Sequence, residues 1–276
     1  MRKIFVLLLL LLLTGCATKH QPPQYDRPVI ALVDTGVSTA AINSAWLLPG
    51  QTYANPAADT EDRINHGTAV ASTILGCESA GVEGLAAGCC YVVPLVVADA
   101  DQSSVTPETL AKAIRDAVDV YGADIINVSL GIKKDDKALR KAVEYAEKQG
   151  VLVVAAAGND GNEDLFYPAA YETVLAVGSH DRNGRVSAFS QRNGTVDLLA
   201  PGEDVWFASN SGETYGTRGT SYATGFVSAA AAILLEIQPD LSPAQVRELL
   251  CTTANGQNLD LDSALQYFRE EKDSAS

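Results

Sequence analysis

The sequence predicts an α/β domain built on a doubly wound, mainly parallel sheet with helices on both faces, and three observations carry that expectation. Short runs of Val, Ile, Leu and Ala recur at 29–33, 91–97, 125–128, 151–156, 174–177 and 196–199. Their apolarity is near-continuous rather than alternating, as it is in strands covered on both sides. The stretches between them are longer, and 107–121 and 137–149 space their apolar residues as amphipathic helices do. Polar residues beside glycine stand where two of the runs end, Asp34 and Asn159 among them, and the carboxyl ends of parallel strands are where such sheets gather catalytic groups.

Taken in order, the first strand stops at Asp34-Thr35-Gly36. His66 then opens the run from Gly67 to Leu75, which is rich in small residues and reads as a buried helix. The strand at 125–128 lies between the two amphipathic helices and leads into Ser129-Leu130-Gly131, while 151–156 leads into Ala157-Gly158-Asn159. Gly219-Thr220-Ser221 precedes an alanine-rich run that ends near Ala232. Gly219 permits a tight turn and the alanines let a helix pack closely, so Ser221 is expected at a helix N-terminus, where the backbone N–H groups and the helix dipole favour developing negative charge. Ser242-Pro243-Ala244-Gln245 supplies a cap, a first-turn Pro and a Gln three residues after the cap, which starts a last helix running toward Leu250.

The N-terminus carries Arg2 and Lys3, an apolar run over 4–13, and Leu13-Thr14-Gly15-Cys16. That is the pattern of a signal peptide over 1–15, too short for a spanning helix. The four residues ending at Cys16 resemble the bacterial lipobox, which implies cleavage before Cys16, lipidation of that sulfur, and a polar tether over 16–27. Ala17 after the cysteine points, by the same resemblance, to the outer membrane and the periplasm. Roughly 260 residues remain, enough for one domain over 28–268 with a short tail over 269–276, and a monomer is expected. The net charge of −14, with no basic run, offers nucleic acid little. Cys77, Cys89, Cys90 and Cys251 leave two possibilities open, two disulfides or free buried thiols. No paired CxxC or nearby His supports a metal site, and no cofactor is expected.

Each candidate site residue has an ordinary structural use when taken alone. Asp34 suits a turn, Ser221 an N-cap and Asn159 a loop. His66 has little competition as a general base, since His20 lies in the tether and His180 beside the turn at 181–184. Their joint occurrence changes the weighing: a nucleophile, a base, an orienting carboxylate and an oxyanion donor are together what acyl transfer requires.

On these segments the chain resembles the subtilisin-like serine peptidases over nearly all of 28–268. The resemblance implies a triad of Asp34, His66 and Ser221 in subtilisin's own chain order, with Asn159 in the oxyanion position and a peptide or protein as substrate. It further implies that Ser129, Leu130 and Gly131 pair with extended substrate, and that these with Ala156, Ala157, Gly158 and Phe166 surround the side chain preceding the cut. A bulky Phe166 would leave a shallow apolar pocket, whereas Glu163 or Asp164, if buried there, would favour Lys or Arg; the apolar pocket is expected. Three departures accompany the match. Tyr222 replaces the usual Met, Gly225 replaces the usual Pro, and the loop over 74–84 is short where many relatives hold calcium, so calcium is not expected. Only Ala17 to Arg27 separate the lipid site from the first strand, which leaves no room there for the prodomain of many relatives. These departures keep an alternative in view, a catalytically inactive lipoprotein that binds an extended peptide or partner protein in the old groove.

Overall fold

In the computed structural model, which describes residues 22–55, 57–98 and 105–274 with side chains to 268, seven strands form one sheet in the order β2-β3-β1-β4-β5-β6-β7. The expected signal peptide, Cys16 and the start of the tether lie outside the described residues. The strands are β1 (Val29–Asp34), β2 (Gln51–Thr52), β3 (Tyr91–Val96), β4 (Ile125–Val128), β5 (Leu152–Ala156), β6 (Leu175–His180) and β7 (Leu198–Pro201). All six pairings are parallel. The sheet is doubly wound, as the apolar runs predict.

Both faces are covered, which is why the strands are apolar at nearly every position. Ile30 and Leu32 of β1 point into one core, with α1 (Gly67–Leu75), α4 (Thr220–Ile237) and α5 (Pro243–Thr252). Val29, Ala31 and Val33 point into the other, with α2 (Pro107–Asp119) and α3 (Lys137–Lys148). The helices begin where their caps allow. Thr106 accepts from Thr109 N–H ahead of Pro107, Asp136 accepts from the N–H groups of Ala138 and Leu139, and Ser242 with Gln245 forms the expected capping box. A further helix, α6 (Leu261–Ser274), runs across position 268 and packs Ala264 and Phe268 on the first core.

Besides β2 and α6, which the sequence did not single out, two features differ from the sequence expectation. The strand expected over 196–199 is displaced to β7, because Val196 N–H closes a turn onto the Asn193 carbonyl and the Asp197 carboxylate accepts from Ala176 N–H at 2.8 Å. An antiparallel hairpin, β8 (Val205–Ala208) and β9 (Thr214–Thr217), was not anticipated, since four-residue strands with one outward face carry no long apolar run.

The chain winds from β1 out to β3 and then crosses to β4 on the other side of β1. The connections therefore diverge between β1 and β4. The crevice beyond their carboxyl ends is bordered by Asp34 and by Ser129, which follows β4.

Candidate active site

Asp34 ends β1 and is fully buried. Its Oδ1 accepts from Thr35 N–H at 2.7 Å and from Nδ1 of His66 at 2.6 Å. Because an ionised carboxylate can only accept, the imidazole proton sits on Nδ1, and Nε2 is left as the basic nitrogen. Oδ2 of Asp34 has no partner among the described residues.

His66 stands immediately before α1, and its side chain makes no cap bond to the helix. Asp62 does that work. Its Oδ2 accepts from Thr68 N–H at 2.9 Å, and its Oδ1 accepts from the Thr35 hydroxyl at 3.0 Å. Thr35 in turn accepts from Gly67 N–H at 2.9 Å. The approach of α1 to β1 requires glycine, for a Cβ on Gly67 would lie 2.1 Å from the Gly36 carbonyl oxygen. Burial alone pushes His66 toward its neutral form, but the Asp34 charge, the Asp34 hydrogen bond and the more distant Asp62 charge together outweigh it and hold the pKa above the ordinary 6.5.

Ser221 is the second residue of α4 and is nearly buried. Its hydroxyl donates to the Ser129 carbonyl at 2.9 Å, and no bond joins it to His66 in this arrangement. At this helix end Thr220 N–H is taken by Oδ1 of Asn159 at 2.9 Å and Tyr222 N–H by the Gly219 carbonyl at 3.3 Å, which leaves Ser221 N–H without a partner among the described residues. The Thr220 hydroxyl also donates to Oδ1 of Asn159, at 3.1 Å. With its oxygen held twice, the exposed Asn159 presents its NH₂ group as a donor. Two convergent donors beside a hydroxyl are what a developing oxyanion needs. Thr220 was not singled out from the sequence; its place between Gly219 and Ser221 is a signal that only the Asn159 contact makes legible.

Three segments meet on the other side of Ser221. The Phe166 ring lies between Gly131 and Gly158, where added Cβ atoms would stand 3.3 and 2.7 Å from its edge carbons. Leu130 and Ala156 are half-buried and Ala157 is buried. Lys133 and Asp160, which extend the two flanking segments, pair at 2.6 Å, and the Lys133 ammonium stands 5.5 Å from the Phe166 ring centre. Glu163 and Asp164 are exposed.

The two departures near Ser221 have structural reasons. Tyr222 stacks on Phe207 of β8 with ring centres 4.3 Å apart, lies 5.6 Å from the His66 ring, and its hydroxyl bonds to the Thr217 hydroxyl. Gly225 faces α1, where a Cβ would lie 2.1 Å from the Thr73 hydroxyl, so a side chain fits there only if Thr73 gives way. The four cysteines are free thiols, with Cys77 and Cys90 buried; of the two possibilities open from sequence, the structure has the unbridged one.

A doubly wound α/β sheet with Asp34, His66 and Ser221 beyond its strand ends is an arrangement suited to the class of serine hydrolases. The model of the subtilase family, peptidase S8, matches residues 26–267. Subtilisin BL of Lederbergia lenta is 37% identical over 232 residues, covering 82% of both chains, and the major intracellular serine protease of Bacillus subtilis is 37% identical over 217 residues, covering 74% of this chain and 67% of its own. Among solved structures, the self-cleaved protease domain of PatA superposes with a TM-score of 0.75 at 33% identity, covering 88% of this chain and 97% of that one. A cold-adapted subtilisin-like serine proteinase gives 0.75 at 29% identity, covering 88% and 91%. The chain belongs to the subtilase family, and it is a serine endopeptidase of the subtilisin type.

Proposed function

We propose that this endopeptidase cuts with Ser221 as nucleophile, His66 as general base and Asp34 as the group that orients it. The observation that carries this reading is the 2.6 Å contact of His66 Nδ1 with the buried Asp34, which leaves Nε2 as the basic nitrogen of a ring 5.6 Å from that of Tyr222 in the first turn of α4. Ser221 attacks the scissile carbonyl while His66 takes its proton, and the oxygen that becomes negative is met by Ser221 N–H and the Asn159 amide. His66 then gives the proton to the leaving amine, and water hydrolyses the acyl-enzyme by the same route in reverse. Losing a donor such as Asn159 costs about 10²–10³ in turnover, a magnitude that comes from subtilisin and not from this chain.

The acyl side of the substrate lies along Ser129, Leu130 and Gly131, and its side chain preceding the cut enters the space bounded by Ala156, Ala157 and Gly158. Phe166 fills the floor of that space, which supports a shallow apolar pocket and small apolar residues before the bond. The exposure of Glu163 and Asp164 supports the same preference over a basic one. The protein is further proposed to be held at the bacterial envelope through a lipid on Cys16, with labelling by a palmitate analogue, lost in Cys16→Ala, as its check. The inactive-binder alternative is not favoured, since the departures at Tyr222 and Gly225 are accommodated by packing that leaves the Asp34–His66 pair and the helix donors intact.

A serine-directed phosphonate probe tests the catalytic reading. Labelling of the purified protein that disappears in both Ser221→Ala and His66→Ala is expected. A well-folded protein that takes no label, or a Ser221→Ala variant that still hydrolyses peptide, overturns it.

A further inference from the structure

Trp206 is 66% exposed, the highest figure among the large apolar side chains that stand open to solvent. A tryptophan on a short hairpin has no packing reason to face water, and its setting is specific. Along β8 the side chains alternate, so that Phe207 is fully buried against Tyr222 while Trp206 faces outward. Directly opposite it on β9 is Gly216. With no side chain there, the indole lies across the hairpin: a Cβ on Gly216 would sit 2.7 Å from the ring. The ring thus rests against Gly216 while two thirds of its residue surface stays open to solvent.

The location of this platform follows from the direction of the reaction, and so rests on the triad proposed above. The acyl half of the substrate occupies the side of Ser221 that holds Gly131, Gly158 and Phe166. The leaving amine takes its proton from His66, so the leaving half of the chain departs past that residue. His66 lies against Tyr222, and Tyr222 is tied to the hairpin twice, through Phe207 of β8 and through the Thr217 hydroxyl of β9. The hairpin then runs into the nucleophile, with Arg218 only three residues before Ser221. Gly216, which lies opposite Trp206, is five positions before Ser221, so at roughly 3.5 Å per residue the two are at most about 18 Å apart, a span that four or five residues of an extended leaving segment cover.

That outer face borders a cleft of about 580 Å³. Its charges are Arg182, Arg218, Glu203 and Asp204, two of each sign, with Arg182 Nε 3.9 Å from the Asp204 carboxylate. Such a balance gives little selection by charge. What remains distinctive is the exposed indole, to which aromatic rings are drawn by area and by offset stacking.

We propose that Trp206 is a specificity-determining residue for the leaving side, binding an aromatic side chain carried by one of the first few residues after the scissile bond. Gly216 leaves the indole room to lie across the hairpin, and Arg218, whose guanidinium stands 5.6 Å from the Phe189 ring centre, lines the same cleft. The occupant is therefore the substrate's own downstream segment, and the contact raises kcat/KM only for substrates long enough to reach it.

The test uses peptides with one fixed acyl half and a leaving half that carries Phe or Ala at each of the first four positions, read as the Phe/Ala ratio of kcat/KM within each protein. A ratio taken within one preparation does not depend on how much of that preparation is active. Wild type is expected to favour Phe by about three- to tenfold at one position. Trp206→Ala should bring that ratio to within twofold of one, Trp206→Phe should keep most of it, and Gly216→Ala, which displaces the ring without removing it, should lower it. Equal rates for Phe and Ala at all four positions in wild type, or a preference that survives Trp206→Ala, overturns the proposal. Cleavage of neither peptide, with no serine labelling, would instead mark failure of the triad reading, and that outcome also removes this one.

Discussion

The hydroxyl of Ser221 donates to the carbonyl of Ser129 at 2.9 Å, and the hydroxyl of Ser129 donates back to the carbonyl of Ser221 at 3.1 Å. This reciprocal pair joins the residue proposed as nucleophile to the segment proposed to hold substrate. It is also the end of a buried chain: the Ser228 hydroxyl donates to Oδ1 of Asn127 at 2.8 Å, and Nδ2 of Asn127 donates to the Ser129 hydroxyl at 2.8 Å. From Ser228 through Asn127 and Ser129 to the Ser221 carbonyl the donors point one way, from the middle of α4 through β4 to the first turn of α4, and only the Ser221 hydroxyl donates in the opposite direction. Rotation of the Ser221 side chain to its next staggered position frees the hydroxyl from this carbonyl.

Ser228→Ala should therefore act at a distance. It leaves the Asn127 carbonyl oxygen buried and unpaired, at a cost of about 1–3 kcal/mol, and loosens Ser129. The rate per active site, counted by titration with the serine probe, is expected to fall about tenfold and to recover in Ser228→Thr. An unchanged rate per titrated site, with only a lowered melting point, would make the chain structural and nothing more.

The raised pKa of His66 fixes two pH dependences. The free base is the working form, so the acidic limb of kcat/KM should have its midpoint above 6.5. For stability the sign is opposite. A histidine whose folded pKa exceeds its unfolded value stabilises the fold in full below about 6.5, and that contribution is lost as pH rises through the folded pKa. Denaturant midpoints measured in Ser221→Ala, which avoids self-digestion, should show this loss, and adding His66→Ala should abolish it. A midpoint for the rate profile below 6.5 would contradict the balance of burial and carboxylate charge described here.

Phe166→Gly should open the acyl-side pocket. Wild type is expected to cut after small apolar residues, and the variant should gain about tenfold for Leu or Phe before the bond, in line with a few methylenes of added room. Profiling with a peptide library checks both statements. A strong preference of wild type for Lys or Arg would contradict the apolar floor.

Gly225→Ala should cost stability rather than chemistry. Its Cβ would meet the Thr73 hydroxyl and come within 3.2 Å of the Val70 carbonyl oxygen, so Thr73 must give up its bond to that carbonyl or the helices must shift, at about 1–3 kcal/mol. Thermal melting of Gly225→Ala, Thr73→Ala and the double variant should show the second change relieving part of the first, because the two positions touch. Additive losses would mean that the contact is not the source.

Several parts of this protein were legible in the sequence. Runs of apolar residues without alternation report a sheet covered on both faces, since each strand position must meet one core or the other. The capping box at Ser242 marks a helix start because its bonds are local. Asp34, His66, Ser221 and Asn159 could be singled out because each stands at a strand end or helix start within a run of small residues, and that combination has few other uses. What required the tertiary structure depends on atoms far apart in the chain. The displacement of β7 follows from Asp197 reaching Ala176, and the role of Thr220 from Asn159 approaching it across 61 positions. The tight fit at Gly225 is decided by Thr73, the floor at Phe166 by two glycines on different strands' ends, and the open indole of Trp206 by the lack of a side chain at Gly216. Local sequence carries backbone preference and periodicity; which side chain meets which across the core is set only when the layers pack.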